Sequence, residues 1–326
     1  MRSRRLAALA VGVAVLAVGG CGLPEQVAGV RSVPSASPTG APLDVVTATS
    51  VATRVLTAAT SAAALRGPAG DTARAAVLTG DALAVANAAA RNAKGTPPAA
   101  PPSAPRPQIV TMSRGAGWPR YIVATTLDTG TDTRWLHVLV SASATTLFRL
   151  TENVRMIAGA ALPGLGAPSS GVVADGVGGT DASARDVLAA LAAGLAYPHP
   201  TLSDLVATTD PASSALRANA ARQQQGLGSL ATLTSRQTPA GPPTAFATPS
   251  GGTLVFGLLT RTDTITLKPS ATALNVPADV AKLIGKAKVS RFVTVTTLEP
   301  VCLSVPAAAA ATLVGFDEQV LRAAGA

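Results

Sequence analysis

The chain has 326 residues, 48% of them hydrophobic but only 3% aromatic, and carries a net charge of +9. Alanine supplies much of the apolar content and buries little area, so a core must rest on Val, Leu and Ile. The basic residues are scattered, without a lysine or arginine run, which argues against nucleic-acid binding and leaves weak attraction to an acidic envelope surface as the simpler consequence.

The N-terminus opens MRSRR and continues into an apolar run from Leu6 to Val18. A basic stretch, a short apolar stretch and then small residues form the layout of an export signal. At 1.5 Å per residue the run is roughly 20 Å long, too short to span a bilayer core comfortably. Val18-Gly19-Gly20-Cys21 resembles the bacterial lipobox, in which a cysteine follows two small residues and an aliphatic one. That resemblance implies diacylglyceryl attachment to Cys21, cleavage just before it, and a protein held on the outer face of the cell membrane. One diacylglyceryl group supplies two chains, enough for stable anchoring. An ordinary secretory signal with Cys21 near the cut is the alternative. Ser3-Arg4-Arg5 is similar to a twin-arginine signal, but Leu6-Ala7-Ala8 replaces the usual aromatic-leucine pair, leaving the export route open. Loss of Arg2, Arg4 and Arg5 would take the net charge from +9 to +6. With Cys21 acylated, Cys302 would have no disulfide partner within the chain.

The expected organisation is a signal peptide over 1–20, a lipidated cysteine and flexible tether over 21–43, a first α+β unit over 44–165, a linker over 166–182 and a second α+β unit over 183–326. The tether and linker boundaries follow from 31-RSVPSASPTGAP-42 and 163-PGLGAPSSGVVADGVGG-179, and a proline-dense break lies at 95–108.

In chain order, helical spacing predicts a helix from Val45 to Leu65 and a second over 81–94, after the cap candidate Thr79. Alternation predicts strands over 108–114, 119–128, 134–143 and 146–157, with 128-DTGTD-132 as a turn. The same order then recurs. Helices are expected over 185–195 and over 202–225, the latter interrupted near Asp210-Pro211. Strands follow over 230–236, 243–249, 253–269 and 291–306, with a short helix over 277–285 between the last two. The recurrence, with TMSR at 111–114 matched by LTSR at 233–236 to within a residue or two, points to a duplicated helix-helix-antiparallel-sheet unit.

That order of elements resembles the cystatin-like and nuclear-transport-factor-like cone folds. Leu78-Thr79-Gly80, Gly117-Trp118-Pro119-Arg120, the run from Gly251 to Phe256, and Val305-Pro306 resemble a group of uncharacterised actinobacterial lipoproteins. The resemblance implies an α+β fold and an envelope location, and carries no activity with it.

Chemistry is sparse. The two histidines, His137 and His199, share no metal-ligand spacing, and there is no CxxC, nucleophile elbow or phosphate loop. Asp128-Thr129-Gly130 spells an aspartic-protease triplet, but that chemistry requires two, so it reads as a turn. No catalytic residue, metal or cofactor is expected. Scarce large rings concentrate at Trp118, Tyr121 and Trp135, beside His137, and mark either a pocket for a small apolar ligand or simple core filling. The function expected is a membrane-anchored binding or scaffolding module, whose partner is another envelope protein or an acidic wall polymer. Carriage of an apolar ligand comes second, and a cone-fold hydrolase or isomerase third.

Overall fold

A computed structural model describes residues 40–93, 105–175 and 182–326. Cys21, the signal, and most of the tether and proline-dense break lie outside the described residues, as does part of the linker. Three helices open the chain: α1 (Val45–Ala64), α2 (Gly67–Val77) and α3 (Gly80–Asn92). Asp44 caps α1 by accepting from the Thr47 amide at 2.8 Å. The helix α2 was not expected from its Gly-Pro start. Pro68 is tolerated in the first turn of a helix, and Gly70 lets that turn pass Leu65. A Cβ on Gly70 would lie 2.7 Å from the Leu65 carbonyl.

The first sheet is antiparallel, ordered β1 (Gln108–Met112), β2 (Arg120–Asp128), β3 (Thr133–Ser141), β4 (Arg149–Arg155). After a crossover come β5 (Ala174–Asp175), α4 (Ala182–Gly194), β6 (Val206–Ala207) and α5 (Pro211–Leu227). The predicted helix over 202–225 thus begins only at Pro211, where Asp210 accepts from the Ser213 amide at 2.9 Å. Residues before this cap run as a loop that adds β6 to a sheet edge. The second sheet follows: β7 (Ala231–Pro239), β8 (Thr244–Ala247), β9 (Thr253–Leu267), then the small pair β10 (Leu274–Asn275) and β11 (Lys288–Val289) around α6 (Ala278–Ile284), then β12 (Phe292–Val305), β13 (Ala311–Phe316) and β14 (Gln319–Gly325). The last two strands were not expected from their alanine-rich sequence.

The long antiparallel pair β9–β12 is the spine of this sheet. At one end it is flanked by β8 and β13, at the other by β7 and β14. Its sequence encodes the division. Leu254 to Leu259 is an unbroken apolar run, as expected of a strand buried on both faces. Beyond it, 260-TRTDTITL-267 alternates and is half-buried.

Alternation along the strands produces stacked layers. In the first sheet Ile122, Ala124, Leu139 and Leu150 face α1, with Leu78 and Ala82. Tyr121, Val123, Leu136, Val138 and Val154 face the second sheet, where Phe246, Leu254, Phe256, Cys302 and Val314 meet them. On the far side, Val255, Leu259, Val301 and Leu303 pack against Val187, Leu188 and Leu191 of α4. Gly257 allows that approach, since a Cβ there would stand 2.8 Å from Leu188 Cδ2. The fold is therefore mixed α+β, with helices outside and two sheets inside. The sheets also join directly, because the Ile157 amide donates to the Val314 carbonyl at 3.0 Å.

Candidate functional site

The space between the sheets is filled. The Tyr121 and Phe246 rings meet edge-to-face at 5.6 Å, and Phe246 and Phe256 do so at 5.9 Å. Burying such a ring stabilises by about 1.5–3 kcal/mol, and the T-shaped geometry adds to that. Tyr121 is thus a core residue. Trp118 is exposed, with the Arg120 guanidinium 4.2 Å over its ring. Trp135 and His137 share the face of β3 that carries Leu139, opposite the face reached by Tyr121. The four residues do not line a common pocket.

His137 is buried, its Nε2 2.8 Å from Thr126 Oγ1, with Asn153 opposite it across the strand pair. Burial pushes its pKa down to about 4, against the opposing pull of Asn153. A buried acid stands on the next residue of β4. Glu152 pairs with Val138 and therefore faces the second sheet. It shares a hydrogen bond with Asp81, in the first turn of α3. Burial, reinforced by the Asp81 charge, holds the Glu152 carboxyl well above the usual range, so it donates to Asp81. Asp81 itself is raised to about 6 by burial, the bond to Glu152 pulling the other way. Burial, and then Glu152, push the Cys302 thiol upward, which makes it a poor nucleophile. Because Glu152 and His137 project from opposite faces of one sheet, this acid and this base do not converge on one substrate. No group of metal-ligating side chains occurs among the described residues.

A second charged cluster lies on the helix-bearing face of the second sheet. Arg261 reaches Glu299 at 2.7 Å, Glu318 at 2.6 Å and Asp263 at 3.0 Å. Glu299 is fully buried, and its pKa rises to about 8, chiefly through burial and against the pull of Arg261. This is an internal ion network that fixes β9, β12 and the β13–β14 turn together.

Open space occurs elsewhere, at the end of the first sheet. One cleft of about 680 Å³ is lined by Ile109, Val110, Thr125, Leu162 and Pro168. Another of about 600 Å³ is lined by Leu127, Ile157, Pro211, Ala212 and Phe316. They share Arg134, Met156 and Ala160, and so adjoin as a groove in two parts along the segment that leaves β4. Its walls are apolar in part, and polar side chains from the β2–β3 turn, Thr131, Asp132 and Thr133, line one end. Arg134, Arg155 and Asp132 supply its charge. Arg155 stands 3.9 Å from Asp317, whereas Arg134 is exposed and makes no ion pair among the described residues. Their volumes are in the range of clefts that hold small ligands. Sequence reading missed these residues because they come from five separate segments. Only the alternation in 150-LTENVRMI-157, which places Glu152 inward, was open to it.

No curated protein and no solved structure matches the chain. The model of a domain of unknown function, DUF8094, matches residues 43–325. Most of the sequence lies within that match, and the chain belongs to the DUF8094 family.

Proposed function

We propose that the protein is a membrane-anchored cell-envelope lipoprotein that acts as a binding module, using the groove at the end of the first sheet. The observation that carries the reading is Arg134, a cation with no ion pair among the described residues, at the point where two partly apolar clefts adjoin. Such a groove suits an apolar group with an acidic end. The anchor rests on Val18-Gly19-Gly20-Cys21. The two halves are read as copies of one cone-like unit, a view supported by the order α1–α3 then β1–β4, and α4–α5 then β7–β9. Carriage of a small ligand is the second reading, favoured by the groove's volume.

The test is a titration with the anionic amphiphile 1-anilinonaphthalene-8-sulfonate, followed by fluorescence. Arg134→Glu, which reverses the charge, and Ala160→Trp, which fills the groove, should each weaken binding about tenfold. Unchanged binding in both variants would overturn the assignment.

A further inference from the structure

Sheet cover and residue type change together along the β9–β12 spine. The first sheet and α3 cover the inner face of the second sheet as far as Leu258 and Leu298, where Ala84, Val85 and Ala88 pack. Beyond that point the residues continuing the inner face of β9 are all threonine, at 260, 262, 264 and 266. Their cross-strand partners extend the pattern. One row across four strands reads Arg236, Thr262, Thr296, Arg322, and the next reads Thr234, Thr264, Thr294, Ala324. In the first row the two arginines are exposed, Thr262 is half-buried and Thr296 forms the floor. At about 4.8 Å per strand the arginine backbones stand roughly 14 Å apart.

Threonine suits a solvated strand surface on propensity alone. Charge separates this face from an ordinary solvated one. Both acids of the four strands, Asp263 and Glu299, project from the opposite face, where Arg261 holds them. Arg236 and Arg322 make no ion pair among the described residues. The face thus offers hydroxyls between two cations unpaired among the described residues, with no carboxylate from its own four strands. A second copy of the chain packed on it face to face would bring no acid to the arginines. The two rows that carry or adjoin the arginines offer no large apolar side chain that would enter a bilayer, and Phe292, opposite Thr266 at the end of the face, is half-buried.

We infer that this threonine-arginine face docks an anionic polysaccharide, its acidic groups on Arg236 and Arg322 and its hydroxyls on the threonine rows. The inference rests on the envelope location proposed above, and names the polymer surface of the same binding module. Attraction of this kind is screened by salt.

The test measures binding of the mature full chain to polygalacturonate, to neutral dextran and to phosphatidylglycerol vesicles at low and high salt. Polygalacturonate should bind, more weakly at high salt, and dextran should not. Arg236→Ala with Arg322→Ala should weaken polygalacturonate binding about tenfold, and Thr262→Val, which removes one hydroxyl at nearly constant shape, should weaken it less. Arg134→Glu should leave it unchanged while weakening the amphiphile binding described above about tenfold, which separates this face from the groove. Polygalacturonate binding that is absent, or insensitive to both arginines in variants that melt like the parent, would overturn the inference. So would vesicle binding that depends on the same two arginines. Loss of amphiphile binding to the groove in the parent would count against the groove alone.

Discussion

Glu152 and Asp81 share one hydrogen bond between β4 and the first turn of α3, with Glu152 holding the proton. Both carboxyls are raised, so the folded chain binds protons more tightly than the unfolded chain. Their contribution to stability is full below the unfolded carboxylate pKa near 4 and declines as pH rises through about 6 for Asp81. Glu152→Gln keeps a donor toward Asp81 and removes the proton requirement. It should match the parent at pH 4 and be more stable by about 1–2 kcal/mol at pH 8. Thermal melts across that range check this, and a variant less stable than the parent at pH 8 contradicts it.

Arg261 stands among three carboxyl groups, of which Glu299 is fully buried. Arg261→Ala leaves them unopposed and should cost about 3–5 kcal/mol, whereas Glu299→Gln should change stability by less than about 1 kcal/mol. Urea unfolding of the two variants separates these values. Equal losses would show that the network is not organised around the arginine.

Phe246 contacts both Tyr121 and Phe256 where the sheets meet. Phe246→Ala opens a cavity in the layer that joins the two halves, with an expected loss of about 3–5 kcal/mol. A loss below about 1 kcal/mol in denaturant unfolding would mean that the sheets do not depend on this packing.

Cys21 lies outside the described residues, and its role is a matter of mass. Protein from the native membrane fraction should lack residues 1–20 and carry a diacylglyceryl group, both features disappearing in Cys21→Ala. An unmodified chain cut elsewhere, measured by intact mass spectrometry, would remove the anchor.

Much of the fold was legible because burial leaves a period in the sequence. The alternation in 119-PRYIVATTLD-128 and 134-RWLHVLVSAS-143 corresponds to β2 and β3, each carrying one core on either face. The helix α2 was not legible, since its apolar face is small and its stability comes from Arg74, which is buried and bonds the Leu65 carbonyl at 2.9 Å and Asn87 at 2.8 Å. Strands β13 and β14 were hidden by alanine, which suits helix intrinsically and is placed in strand here by pairing with β12. Rings made a poor guide to the site. In a chain so short of large side chains Tyr121 was needed for the core, and the groove was left to Met156, Ala160 and an arginine. No local motif brings Arg134 beside Phe316; only the stacking of the halves does so.

The most direct measurement is amide chemical-shift mapping of the protein during titration with 1-anilinonaphthalene-8-sulfonate. Binding in the groove predicts saturable shifts centred on residues 131–134 and 155–162, with smaller ones near Ala212 and Phe316. Shifts confined to other surfaces, or none at all, would contradict a binding module built around Arg134.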